Sequence, residues 1–167
     1  MVSALNDDLK EPLHTSVTLR DLYAARRLIL PWVERTALKR SPSLSAICGA
    51  KVYLKLETEQ DIGAFKIRGA TNRLLQMSDD QRARGVVTVS TGNHGRAVAQ
   101  AAAHAEVKSV GCMSTLVPKN KVDAIIKLGA EARIVGQSQD EAEVEANNLV
   151  REEGMTLIHP FDDPYVI

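Results

Sequence analysis

The sequence predicts an α/β fold: a parallel-sheet small domain of four strands with crossover helices, plus the incomplete first portion of a larger α/β domain. Two observations carry this. Four short apolar runs begin near Val86, Ser109, Arg133 and Thr156, about 23 residues apart. Between them lie three helical stretches, and strands alternating with helices at this period pair in parallel through right-handed crossovers. The segments share no sequence repeat, so they read as strand-and-helix (βα) units and not as a solenoid.

Taken in order, the chain first predicts a helix over residues 18–30. Thr18 can cap it, Asp21 stands in capping-box spacing, and Pro31 follows the last turn. Residues 34–50 read as irregular, punctuated by Pro42 and Gly49, with a short helix over 43–47. Residues 51–56, Lys-Val-Tyr-Leu-Lys-Leu, alternate polar and apolar side chains, the pattern of a strand with one buried face. A loop over 57–64 leads to a helix over 66–76. Beyond Val86, the alanine-rich helix over 95–104 is expected to be buried all round. The next carries Val122, Ile125 and Ile126 at helical spacing and stops at Gly129, a left-handed cap. The last opens with Ser138 and Glu141 as a capping box and places Ala142, Ala146, Leu149 and Val150 on one face.

Composition narrows the function class. The 21 Lys+Arg balance 21 Asp+Glu, so no electrostatic reason exists to expect nucleic acid or an anionic membrane as partner. The apolar runs are too short to span a bilayer, and residues 1–10 lack the pattern of a secretory signal. Cys48 and Cys112 have no metal-ligand spacing and read as two reduced core thiols of a cytoplasmic protein.

Two segments can carry chemistry. In Gly63-Ala64-Phe65-Lys66-Ile67-Arg68-Gly69-Ala70 a lysine opens a helix after a flexible corner and an aromatic residue. The helix amino terminus and an apolar neighbour both favour the neutral amine, the form that condenses with an aldehyde. The same octapeptide also suits a solvated surface lysine, and Arg68 reads as structural. In Ser90-Thr91-Gly92-Asn93-His94-Gly95 a strand gives way to a helix, so backbone N–H groups can converge on a carboxylate or phosphate, with Ser90, Thr91 and Asn93 adding donors. A polar helix cap without ligand fits the same letters, and His94 also suits a packing role. No elbow glycine precedes Ser90, no Walker-type lysine follows the glycines, and no G-x-G-x-x-G occurs. His14, His104 and His159 stand alone, and the pairs Asp7-Asp8 and Asp162-Asp163 are expected to hold no metal.

Together, a G-x-F-K-x-R-G-A segment and S-x-G-N-H-G about 25 residues later resemble the fold type II pyridoxal-phosphate family, nearest its threonine/serine dehydratases and serine racemases. The similarity extends through Glu34-Arg35-Thr36, Val52 to Glu57, Val117-Pro118, Gly129-Ala130-Glu131 and His159-Pro160-Phe161-Asp162-Asp163-Pro164. It implies pyridoxal 5'-phosphate as cofactor and a small amino acid as substrate. Lys66 would hold the cofactor as a Schiff base and take the α-proton. Phe65 would pack beside the ring, and Asn93 would hydrogen-bond its phenolic oxygen. Ser90, Thr91, Asn93 and His94 would line the turn gripping the substrate carboxylate. The reaction would expel water from a hydroxy amino acid, giving a 2-oxo acid and ammonia.

The sequence departs from the family pattern in places. Ile62 and Ala64 stand where relatives often carry Thr or Ser. Thr91 stands where racemases place a serine acid/base and many dehydratases an alanine, which keeps racemisation open. Asn93-His94-Gly95-Arg96-Ala97, Cys112-Met113-Ser114 and Arg133-Ile134-Val135-Gly136 also resemble the dehydratases of hydroxyectoine utilisation, which would act on a longer hydroxy amino acid. The family's phosphate loop and pyridine-nitrogen partner follow the His-Pro-Phe-Asp-Asp-Pro segment. The 167 residues alone are therefore expected to be an inactive amino-terminal piece of a homo-oligomeric enzyme. The implied division is residues 1–84 for the large cofactor-binding domain, 85–162 for the small domain, and 163–167 for the return to the large one. The alternative of another class is a non-catalytic fragment or binding module that keeps the carboxylate corner.

Overall fold

The computed structural model describes residues 17–90 and 92–167. The readings made on residues 1–10, on His14 and on Thr91 lie outside these described residues.

Helix α1 (Leu19–Ile29) starts as its letters require. The Thr18 side chain accepts from Asp21 N, and Asp21 returns the bond to Thr18 N. Two short strands, β1 (Leu38–Arg40) and β2 (Tyr53–Lys55), pair antiparallel around helix α2 (Pro42–Cys48). Strand β1 was not expected, because Leu-Lys-Arg has no apolar period and is held by its pairing alone. The buried face expected of residues 51–56 is not found either. Tyr53, Leu54 and Lys55 are all exposed, since β2 pairs only with β1 and no layer of the described residues covers the ribbon. Cys48, expected in the core, is exposed at the end of α2, whereas Cys112 is buried.

Helix α3 (Lys66–Leu75) is followed by α4 (Asp79–Arg84), an element the sequence reading passed over although Ser78 and Gln81 form a capping box at its start. The four expected strands then appear: β3 (Val86–Val89), β4 (Ser109–Met113), β5 (Glu131–Ile134) and β6 (Thr156–Leu157). All pair in parallel, in the order β5-β4-β3-β6. Helices α5 (Asn93–His104), α6 (Lys119–Lys127) and α7 (Gln139–Glu153) connect them.

The pleat of β3 sorts the layers. Val86 faces a core built from α3 and α5, and Val87 faces the core under α7 with Val110, Cys112, Ala142, Ala146 and Leu149. Helix α6 closes a third cluster through Val122 and Ile125, while Ile126 turns out to solvent instead of into the core. The alanines of α5 are explained by position. The helix lies between the sheet and α3, so Ala97, Ala101 and Ala102 must let two neighbours approach. Only Asn93 at its start and Ala103 and His104 at its end are exposed. Gly129 ends α6 with φ at +89°, where any side chain would be strained. At α7, Ser138 accepts from Glu141 N as expected, but the Glu141 carboxylate accepts from Gln137 N instead of closing the box.

Candidate active site

From β3 the chain winds to β4 and β5 on one side, and then returns to place β6 on the other. The loops leaving the carboxyl ends of β3 and β6 therefore diverge, and such a switch point is where open parallel sheets leave a crevice for ligands. Residues 90–95 leave β3 there, and residues 158–160 leave β6.

Helix α3 packs along α5 and brings its first residue to the same place. Lys66 Nζ donates to Pro160 O at 2.5 Å and lies 5.4 Å from the centroid of the Phe65 ring. Phe65 was expected to disfavour the ammonium as an apolar neighbour. Instead its ring face meets the amine in cation–π geometry, which attracts a cation. Phe65 is 58% exposed and Lys66 half-buried, so both can be reached from solvent.

The second segment forms the expected strand-to-helix turn. Asn93 is exposed at the first position of α5, with its Oδ1 accepting from Arg96 Nη2 at 2.6 Å. Ser90 is half-buried, and its Oγ accepts from Gly92 N at 3.3 Å. Gly95 cannot carry a side chain, because a Cβ there would run into the Ser90 carbonyl. His94 is buried beneath the turn. Its Nε2 contacts Ile158 O at 3.0 Å, while Nδ1 has no partner among the described residues. Burial holds this ring below the ordinary histidine range, with the nearby Lys66 charge acting in the same direction against the Ile158 bond.

The structure thus brings Lys66 and His94 onto one three-residue stretch, while Asn93 and Ser90 bond only within their own turn and helix start. Reading the letters missed the other participants. Thr88 Oγ1 donates to the same Ile158 carbonyl at 2.9 Å. His159, taken as isolated, accepts on Nδ1 from Phe161 N and Asp162 N and shapes the turn. Asp163, set aside as one of an acidic loop pair, is buried. It binds Arg73 of α3 at 3.0 Å and accepts from Tyr165 N. Arg68 is structural, donating to both oxygens of Glu57 at 2.8 Å.

Residues 29–167 match the family model described as pyridoxal-phosphate dependent enzyme. A Sinorhizobium fredii protein provisionally named a threonine dehydratase is 52% identical over 153 residues, which are 92% of this chain and 46% of that protein. The L-threonine ammonia-lyase of Thermotoga maritima is 40% identical over 151 residues, 90% of this chain and 38% of that protein. The crystal structure of serine racemase from Dictyostelium discoideum superposes with a TM-score of 0.85 at 31% identity, covering 90% of this chain and 49% of that one. The chain spans less than half the length of each.

Proposed function

Because the chain belongs to the pyridoxal-phosphate dependent enzyme family, we propose that the protein it forms part of is a dehydratase, or ammonia-lyase, of hydroxy amino acids. The observation that supports this best is the meeting of Lys66 and the residue 90–95 turn at the switch point.

The residues present fit one end of the cofactor. An aldehyde needs an amine that solvent can reach beside a flat apolar surface, and Lys66 with the exposed Phe65 ring offers both. Pyridoxal phosphate, when bound, supplies the electron sink for a carbanion. Lys66 Nζ would hold its aldehyde carbon and move the α-proton, Phe65 would lie along the ring, and Asn93 would donate to the phenolic oxygen. Ser90, Thr91 and Asn93, with His94 at the base of the turn, would bind the substrate carboxylate at the start of α5, where N–H groups and the helix dipole favour an anion.

Threonine and serine are the first substrates of this reading. A longer, hydroxyectoine-derived amino acid is the alternative supported by the segments around Asn93, Cys112 and Arg133. The Thr91 hydroxyl supports racemisation as a side activity, as does the likeness to a serine racemase. We place the large cofactor-binding domain at residues 1–84, the small domain at 85–162 and the return at 163–167, in a homo-oligomer of the cytoplasm. Among the described residues no helix is long and apolar enough to cross a membrane.

The test is chemical. Full-length protein incubated with pyridoxal phosphate should turn yellow, release a 2-oxo acid and ammonia from threonine or serine, and carry the pyridoxyl label on Lys66 after borohydride reduction. A colourless protein that binds carboxylates without turnover would establish the binding-module alternative. Label on Lys51 or Lys55 would move the cofactor away from Lys66.

A further inference from the structure

His94 lies one residue inside α5, is only 4% exposed, and shares a single backbone acceptor with Thr88. A carbonyl oxygen has no proton to give, so the ring nitrogen facing Ile158 O must be the protonated one. The neutral ring then keeps a bare lone pair on Nδ1, which has no partner among the described residues. A charged ring would bury a second N–H with nothing among the described residues to accept it, and it would face Lys66 and His159, with Asp163 as the one opposing charge. Thr88 Oγ1 takes the second lone pair of Ile158 O. On its other side, Ile158 N donates to Val87 O and so continues the sheet. Residue 158 is therefore fixed through three bonds to β3 and α5. Two residues further on is the carbonyl that receives the Lys66 amine.

We propose that His94 is a positioning residue: its Nε2–H, together with the Thr88 hydroxyl, locks the Ile158 carbonyl and so fixes the Pro160 carbonyl as the docking point of the Lys66 amine. Beyond the assignment of the residue 90–95 turn to a substrate carboxylate, this gives His94 a task that needs no contact with substrate. It rests on Lys66 being the functional lysine, but it is tested without turnover.

In cofactor-free full-length protein, reductive methylation with formaldehyde and cyanoborohydride, followed by peptide mass mapping, reads the rate at Lys66 directly. An amine held by an acceptor reacts more slowly than a free one. His94→Leu removes the donor and should raise the Lys66 rate about fivefold, the factor of one ordinary hydrogen bond. His94→Gln keeps an N–H donor at similar reach and should restore the wild-type rate. Thr88→Val, which removes only the second donor, should move the rate in the same direction as His94→Leu. If His94→Leu does not fold, as circular dichroism would show, the Gln and Val variants decide. An unchanged rate in Thr88→Val together with a raised rate in His94→Gln would overturn the proposal, since ring bulk and not donation would then govern the site. A wild-type rate in folded His94→Leu would overturn it as well. Borohydride labelling of the cofactor-loaded protein is the separate control. A pyridoxyl group found elsewhere than Lys66 would sink the functional reading and leave the methylation result standing.

Discussion

Removing the charge of Glu57 should destabilise the protein in a pH-dependent way. Its carboxylate receives Arg68 Nε and Nη2 at 2.8 Å each, Thr36 Oγ1 at 2.7 Å and Gln60 Nε2 at 3.3 Å. The Arg68 bonds, with help from Thr36 and Gln60, lower its pKa from 4.5 to about 2 against the opposing effect of burial. A displacement of about 2.5 on the pH scale corresponds to an upper bound of about 3.4 kcal/mol. The Glu57 and Arg68 side chains are 19% and 31% exposed, and solvent screening reduces this to about 2 kcal/mol. A depressed carboxylate stabilises the fold fully above its unfolded value of 4.5 and loses that contribution as pH falls towards about 2. Glu57→Gln should therefore cost about 2 kcal/mol near neutrality, and its deficit should shrink towards zero as wild type itself is acidified through that window. Urea titrations followed by circular dichroism at a series of pH values measure both. A neutral-pH deficit under about 0.5 kcal/mol, the range of an ordinary surface pair, would refute the reasoning, as would a deficit that does not change with pH.

Three further outcomes are expected, the first two from the geometry and the third from the proposed role of Thr91. Gly95→Ala should cost more than about 2 kcal/mol and abolish the yellow colour with pyridoxal phosphate, because the new methyl meets the Ser90 carbonyl and opens the turn; thermal melts and absorbance check both. Iodoacetamide should label Cys48 and spare Cys112 in native protein, since Cys112 is buried and desolvation pushes its thiol up to about 11; mass mapping of the two peptides reads the ratio. Thr91→Ala in the full-length protein should reduce racemisation of serine by at least about tenfold while changing elimination less, as chiral chromatography beside a keto-acid assay will show. Equal loss of both would reduce Thr91 to shaping the turn.

The legible parts of this fold are those whose cause is local. Thr18 and Asp21 cap α1 within one turn, and the runs at Val86 and Ser109 are apolar because β3 and β4 are covered on both faces. Strand β1 was illegible because only Tyr53 to Lys55, about fifteen residues on, make Leu-Lys-Arg a strand. The missed α4 is a different matter, since Ser78 and Gln81 announced it. The site divides in the same way. Lys66 and Asn93 declare themselves as residue types at helix starts. The carbonyls of Ile158 and Pro160 could not, because every residue has one and only the fold selects two. Asp163 looked like solvated loop charge because its partner, Arg73, stands 90 positions earlier.

What the fold selects at residues 158–163 is a separation of donors from acceptors. Pro160 has no N–H, so the ladder that Ile158 N continues with Val87 cannot extend, and β6 ends after two residues. The N–H groups of Phe161 and Asp162 turn back onto His159 Nδ1, and that of Tyr165 onto Asp163. The carbonyls of Ile158 and Pro160 are thereby left for side chains, and both receive donors: the first takes Thr88 and His94, the second the Lys66 amine. The Pro160 carbonyl is thus the one that meets the Lys66 amine, while the amino end of α5, which follows β3 at the same switch point, carries N–H groups that favour an anion.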